Sequence, residues 1–309
     1  MNLHHLQHFL AIADTGSVRA AADSLGLSQP ALSKSLRVLE TELGARLIER
    51  GARGSTLTTF GRVLYKRAKL IGNELERVTD EIRQLAGHAA GRVSLGSSAT
   101  SAIVFLPPVV QAFQKRHPDA EIHVIGGLPS VLLPRLVDGT LDLVVGPRPA
   151  QLPSPLIESE TLMKSPSVIA VRQSHRLASA RSLKAFADAR WVLNTSAGHA
   201  ESSLHAAFAA LGLAGPRIAV RADSFQAAYA LIAKSDLAGL MPEHLLADRL
   251  IHNVLKFVSV PEFAASNSVD LFYRSDLPLS ALARMFADLL KAEARRIPGA
   301  RGVSNIAQR

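Results

Sequence analysis

Residues 17–37 read SVRAAADSLGLSQPALSKSLR, and this stretch decides the fold of the N-terminal end. Ser17 is a good N-cap, because its hydroxyl can accept from a backbone N–H of the first helical turn. Ala20, Ala21, Ala22 and Leu25 then give a short helix with small residues on its inner face. Gly26 stands where a left-handed C-cap is needed. Ser28 caps the next helix, with Pro30 in its first turn, where a missing N–H costs nothing. That helix is expected to turn Ala31, Leu32, Leu36, Leu39 and Leu43 inward, leaving Gln29, Ser33, Lys34 and Arg37 outside. Two short helices around a tight glycine turn form a helix-turn-helix spanning about 18–37. The alanines matter because they let the helices cross closely. The outer residue types suit groove readout: Gln pairs with adenine, Lys with guanine, and Ser with either donor or acceptor edges. A plain three-helix bundle with a solvated polar face is the bland alternative.

Working outward, Leu3, Leu6, Phe9, Leu10 and Ala13 recur at helical spacing, so a helix runs to about Asp14 and stops at Gly16. Downstream, Leu47–Arg50 reads as a strand, 51–55 as a turn and Thr56–Thr58 as a returning strand. A basic hairpin after a helix-turn-helix is a wing, whose Arg50 and Arg53 can reach phosphates or a narrow minor groove. Positions 34–69 hold nine basic and three acidic residues. The formal net charge of +9 divides into +3 over residues 1–90, +2 over 91–290 and +4 over 291–309. The basic excess therefore gathers near the helix-turn-helix and in the tail, as nucleic-acid binding requires.

Thr58 or Thr59 can cap a long helix. Leu64, Ala68, Ile71, Leu75, Val78, Ile82 and Leu85 follow at alternating spacings of four and three, a heptad seam. An exposed seam needs a partner, and the same helix of a second subunit is the cheapest one. Packing against its own N-terminal domain is the alternative. The segment 59–88 is thus expected to be a dimerising linker helix, with a hinge at 88–91.

From Arg92 the pattern changes to alternating strands and helices, the signature of an α/β fold. Strands are expected at 93–96, 122–125, 141–145, 168–171, 191–194, 218–220, near 254–259 and at 268–274. A hydroxyl-rich loop is expected at 97–101, followed by a helix with Pro107 early. Ser182 and Ser224 are expected caps, and a last helix runs from about 279 to 296. This gives a regulatory domain over 92–298, with one lobe of about 92–160 and 268–298 and a second of 161–267. Residues 299–309 read as a disordered tail. Polar loops at the carboxyl ends of strands form a cleft, and helix N-termini there favour an anion.

Joined together, Ala20-Ala21-Ala22 with Leu25, Ser28-Gln29-Pro30-Ala31-Leu32-Ser33, Leu39-Glu40 with Glu42-Leu43-Gly44, Leu47–Arg50, Arg53-Gly54 and Leu57-Thr58 resemble the LysR-type transcriptional regulators. The match is dense over 1–61 and extends to the whole chain in length and layout. Ile48 stands where that family commonly has Phe, Phe60 where Ala is common, and Lys34 where Arg is frequent. The resemblance implies a winged helix-turn-helix domain over 1–58 that is all-α apart from its wing. It also implies a two-lobed α/β effector domain like a periplasmic binding protein. DNA contacts are implied at Ser17, Val18, Arg19, Ser28, Gln29, Pro30, Ala31, Ser33, Lys34, Arg37, Arg50 and Arg53. Effector contacts are implied at Ser98, Ala99, Thr100, Ser101, Gly127, Leu128, Gly146, Thr195, Ser196, Ser224, Met241 and Pro242. Antiparallel pairing of linker helices, homodimers or homotetramers, a dyad-symmetric promoter site and, for an activator, RNA polymerase follow from the same resemblance. The hydroxyl-rich loops and helix ends suit a small carboxylate or a sugar as the effector.

Composition and motifs exclude other classes. The chain of 309 residues contains no Cys, so disulfides, thiolate metal sites and thiol sensing are ruled out. No apolar run nears the 18 or so residues that a membrane helix needs. The N-terminus lacks the basic start of a secretory leader, which points to a cytoplasmic, nucleoid-associated protein. Walker, Rossmann, zincin and nucleophile-elbow patterns are absent, so no catalytic residue, cofactor or metal is expected. His4 and His8 lie four apart but lack a third ligand, and His123, His199, His205 and His252 share no ligand spacing. Asp142 is a single carboxylate without a partner. An architectural DNA-binding protein without effector control, and more remotely an enzyme targeted to DNA, are the competing readings.

Overall fold

A computed structural model describes residues 1–51, 54–85, 91–194, 198–265 and 267–297. The chain divides into two units, Met1–Ala89 with Arg135–Thr140, and Ala90–Pro134 with Leu141–Arg309.

The first unit opens with three helices, α1 (Leu3–Thr15), α2 (Val18–Leu25) and α3 (Gln29–Leu43). Local chemistry sets their ends. The hydroxyls of Ser17 and Ser28 accept from the N–H of Ala20 and Ala31, each at 3.3 Å. Gly26 adopts φ +65°, the left-handed turn that lets the chain reverse between α2 and α3 at little cost. Leu6, Phe9, Ile12, Val18, Ala21, Ala22, Leu32, Leu36 and Leu39 form the core of this unit. The expected inner faces need correction. Ala20, Leu25, Ala31 and Leu43 are exposed, whereas Val18 is buried. Each short helix buries a narrower stripe than expected, since only one side meets a neighbour. Ser35 is also buried, its Oγ 2.7 Å from Nδ1 of His8.

Strands β1 (Ile48–Gly51) and β2 (Gly54–Leu57) pair antiparallel as the wing. Glu40 of α3 holds its base, accepting from the N–H groups of Leu47 at 2.8 Å and Ile48 at 3.3 Å. Helix α4 (Thr59–Leu85) follows, capped by Thr58, whose Oγ1 accepts from the Gly61 N–H at 2.9 Å. The first turn of α4 lies so close to the wing that a Cβ on Gly61 would sit 2.0 Å from the Leu47 carbonyl oxygen. The seam divides here. Ala68 is buried and Leu64 half-buried against the N-terminal core, so these two pack within their own domain. Ile71, Leu75, Val78 and Ile82 are exposed.

The second unit contains two five-stranded mixed sheets. The first runs β4 (Glu121–Gly126), β3 (Arg92–Ser97), β5 (Leu143–Pro147), β12 (Ser268–Arg274), β6 (Ile157–Lys164). The second runs β11 (Leu255–Val258), β7 (Ser167–Arg172), β10 (Leu237–Pro242), β8 (Arg190–Asn194), β9 (Arg217–Ala222). In each, three neighbouring strands are parallel, the fourth (β12 or β7) runs antiparallel to them, and the outer one (β6 or β11) pairs antiparallel with that fourth strand. The covering helices are α5 (Ala99–Gln114), α6 (Pro129–Val137), α7 (Gly198–Ala210), α8 (Phe225–Lys234), α9 (Arg249–Val254) and α10 (Ala281–Ala294). One apolar core gathers around Phe105, Phe113, Leu271 and Phe286, and another around Phe186, Trp191 and Phe208. Chain crosses between the sheets twice, at 165–167 and 265–268, tied by Ser165 N–H to the Asn267 carbonyl at 2.7 Å.

Several expectations shift. The segment 97–101 is no loop: α5 begins at Ala99 under the Ser98 cap, and Pro107 and Pro108 lie inside it. Buried Phe105, Leu106, Val109 and Phe113 hold the helix across the missing N–H groups. The first sheet extends to Lys164, beyond the expected limit of 160. β6, α7 and α9 are additional elements. Among the described residues, no helix is long and apolar enough to cross a membrane.

Candidate functional site

Two surfaces carry the chemistry. On the first unit, α3 presents Ser28, Gln29, Pro30, Ala31, Lys34 and Arg37 as exposed residues and Ser33 as half-exposed. Neither Lys34 nor Arg37 joins any ion pair found among the described residues, so both charges face outward. Arg19 is exposed at the start of α2 and Ser17 is half-buried. Val18 faces the core, which leaves its side chain unable to meet a ligand. Arg50 lies on β1, with its side chain outside the described residues, and Arg53 lies outside them entirely. An exposed helix with an amide, a hydroxyl and two cations, flanked by a short hairpin, has the shape and charge to enter a DNA groove.

On the second unit, a cavity of about 690 Å³ lies where the carboxyl ends of the parallel strands β3, β4, β5, β8, β9 and β10 converge. This is the place where an open α/β sheet leaves its crevice. Of the residues named from the sequence, Ser98, Ala99, Thr100, Gly127, Leu128, Ser224, Met241 and Pro242 line it. Ser101 does not. It is fully buried behind the first turn of α5, its Oγ 2.8 Å from that of Ser98. Gly146 is also absent from the wall, while its neighbour Pro147 lines it. A Cβ on Gly146 would rest 3.4 Å from Cβ of Ser98, so Gly146 packs against the Ser98 cap and does not face the cavity. Thr195 and Ser196 lie outside the described residues.

Caps aim two helices at this cavity. Ser98 accepts from the N–H of Ser101 at 3.2 Å and Ser224 from that of Ala227 at 3.4 Å. The N–H groups of Ala99 and Thr100 have no acceptor within the helix, as helix geometry requires. The sequence reading missed Ser165, Ser167, His244 and Asn267, which also line the wall. Asn267 donates from Nδ2 to Ser167 Oγ at 3.0 Å. The available signal was the pair of short polar segments, 165–167 and 265–268, between apolar strands. His244, in the turn after β10, had no motif to reveal it. It is buried, with Nδ1 2.7 Å from Ser165 Oγ. Burial pushes its pKa down to about 4, so the ring is neutral at pH 7. Among the described residues, no group of three or more His, Cys, Asp or Glu side chains is placed to hold a metal.

The family model described as bacterial regulatory helix-turn-helix protein, lysR family, matches residues 3–62. The one described as LysR substrate binding domain matches residues 86–295. The HTH-type transcriptional regulator GbpR of Azospirillum brasilense is 28% identical over 298 residues, covering 94% of this chain and 86% of that protein. The SDS degradation transcriptional activation protein of a Pseudomonas species is 28% identical over 301 residues, covering 97% and 98%. Among solved structures, full-length CbnR complexed with its target DNA superposes with a TM-score of 0.70 at 22% identity, covering 95% of this chain and 100% of that one. A full-length OxyR variant from Pseudomonas aeruginosa gives 0.67 at 19% identity, covering 99% and 98%.

Proposed function

Since the chain belongs to the LysR family of bacterial regulators, we propose that it binds a dyad-symmetric DNA site as a homo-oligomer and answers to a small molecule held in the second unit. The observation that carries the DNA half is the outer face of α3, where Gln29, Lys34 and Arg37 stand exposed and unabsorbed by the fold. Contacts at Ser28, Pro30, Ala31 and Ser33, and at Arg50 and Arg53 of the wing, complete the proposed interface. The exposed seam residues of α4 supply the pairing surface, which places two recognition helices on two half-sites. The effector half rests on the cavity at the strand ends, with Ser98 and Thr100 at its anion-favouring helix end. Cytoplasmic action and, for an activator, a contact with RNA polymerase complete the reading.

Selection of bound duplexes from a random DNA pool, at near-physiological salt, tests the DNA half. An enriched inverted repeat is expected. Binding without enrichment would mean that charge holds the DNA, as in an architectural protein. For the effector half, the double change Ser98→Ala, Thr100→Ala should remove the ligand-induced change in DNA binding while the site is still recognised. An unaltered response would move the effector site elsewhere.

A further inference from the structure

Resting on the reading of α3 as the DNA-recognition helix, we propose that His8 and Ser35 are positioning residues. Their contact fixes the roll of α3 on α1, and with it the choice of DNA sequence, although neither belongs to the outer face of α3. Three observations carry this. First, Ser35 is the one polar residue among those that α3 buries. Its Oγ lies 2.7 Å from Nδ1 of His8, across 27 positions of chain. No other hydrogen bond of the Ser35 side chain is found among the described residues. At about 3.6 residues per turn, position 35 falls nearly opposite Ser33 and Arg37. The contact therefore grips α3 from behind the face proposed to read DNA.

Second, nothing else described in the buried faces of the two helices is directional. The remaining buried residues are Leu6, Phe9 and Ile12 on α1 and Leu32, Leu36 and Leu39 on α3. Apolar contact is non-directional, so it opposes separation more than rotation. A hydrogen bond weakens steeply with angle and distance. A roll of about 15° would carry an atom at the helix surface, ~5–6 Å from the axis, through roughly 1.5 Å. That is enough to lose a hydrogen bond to a base edge.

Third, α1 holds the wing as well. The carbonyl of Gly16, at the C-terminal end of α1, accepts from the Ser55 N–H at 2.8 Å. A Cβ on Gly54 would lie 2.8 Å from the same oxygen, so glycine is needed for β2 to come this close. One helix thus carries both proposed DNA elements, α3 by a side-chain contact at His8 and the wing by a backbone bond at Gly16.

The test applies the random-pool selection to full-length wild type, His8→Leu, Ser35→Ala, the double variant His8→Leu with Ser35→Ala, and His8→Asn, with thermal melting beside it. Wild type is expected to enrich an inverted repeat. Each single variant should discriminate at least about fivefold less between that site and its single-base variants. Affinity for random DNA should stay within about twofold, because Lys34 and Arg37 are untouched. His8→Asn, which keeps a polar atom near the position of Nδ1, should recover most of the discrimination. The double variant leaves no buried polar group without its partner, so it should regain melting temperature lost by the single ones. Its discrimination should remain low, which a merely structural contact would not produce. Gly54→Ala, which must push the wing off α1, should weaken binding to all sequences alike. Unchanged base preferences in His8→Leu and Ser35→Ala, or preferences that return with the melting temperature in the double variant, would overturn the proposal and leave α3 as the recognition helix. A wild-type protein that enriches no sequence would overturn both.

Discussion

The outer face of α3 and the cavity of the second unit meet their ligands by opposite means. α3 is convex and exposed, and it offers whole charges, Lys34 and Arg37, on long stems. The cavity is concave, and its described lining holds no Lys or Arg, offering instead helix-end N–H groups, short hydroxyls, side-chain amides and the one carboxylate of Asp223. A mobile exposed charge attracts any polyanion from a distance and is screened by salt. A fixed dipole in a partly buried wall acts only at contact, and salt does little to it. One surface is built to find a long anionic polymer, the other to judge a small molecule.

Salt is the strongest way to break that contrast. If six phosphates are neutralised in the complex, DNA affinity should fall roughly 10³-fold between 50 and 200 mM salt. Affinity for a cavity ligand should change by less than about twofold over the same range. Fluorescence anisotropy on DNA beside calorimetry on the ligand measures both. A parallel fall would mean that a cation outside the described residues serves the cavity.

Acid sharpens the same contrast within the second unit. His244 titrates at about 4 in the folded protein, because burial opposes its charged form. In the unfolded chain it titrates near 6.5. Between these values the unfolded chain binds a proton that the native one lacks, so stability is complete above pH 6.5 and declines as pH falls toward 4. The full loss is of order 3 kcal/mol. Glu243, raised by burial, acts in the opposite sense, so the decisive comparison is wild type against His244→Gln. Denaturant titrations from pH 7 to 4 should show a steeper loss in the wild type. Equal slopes would mean that the ring is protonated where it sits.

The seam of α4 gives the next effect. Leu75→Glu places a charge on the exposed half and should weaken self-association by about 10²-fold or more, since each protomer loses a buried leucine at some 2 kcal/mol. Ala68→Glu, in the buried half, should instead unfold the first unit. Sedimentation and thermal melting separate the outcomes. A Leu75→Glu protein that assembles as the wild type does would remove this helix from the interface.

Local sequence determined the caps and turns of the first unit, which is why they were legible: Ser17, Gly26, Ser28 and Pro30 act on neighbours a few residues away. Inner faces were read less well, because exposure of Ala31 and Leu43 depends on which helix lies opposite. In the second unit, α7 left a trace in Ala200, Leu204 and Phe208, all buried at intervals of four, but its many small residues hid it. β6 is an edge strand with two glutamates and no clear apolar alternation. The cavity was half legible. Ser98 and Ser224 follow strands and cap helices, with Thr100 in the first turn after Ser98, a local pattern. His244 and Ser165 lie 79 positions apart and meet only through the sheet crossings.

The smallest expected effect bears on how α3 divides its work. Lys34 stands one turn into α3 with its charge outward, where the proposed complex would bring it to a base edge, whereas Arg50 belongs to the wing strand β1 and is proposed to meet the phosphate backbone. Lys34→Ala should cost about 1–3 kcal/mol on the preferred site and relax the choice of one base pair. Arg50→Ala should weaken binding evenly on all sequences and lower the salt slope by about one phosphate contact. Competition binding against single-base variants of the selected site reads both. If the two variants kept the same base preferences, Lys34 would be a phosphate contact as well. Sequence choice would then fall to the other polar residues proposed on that face, Gln29, Ser33 and Arg37.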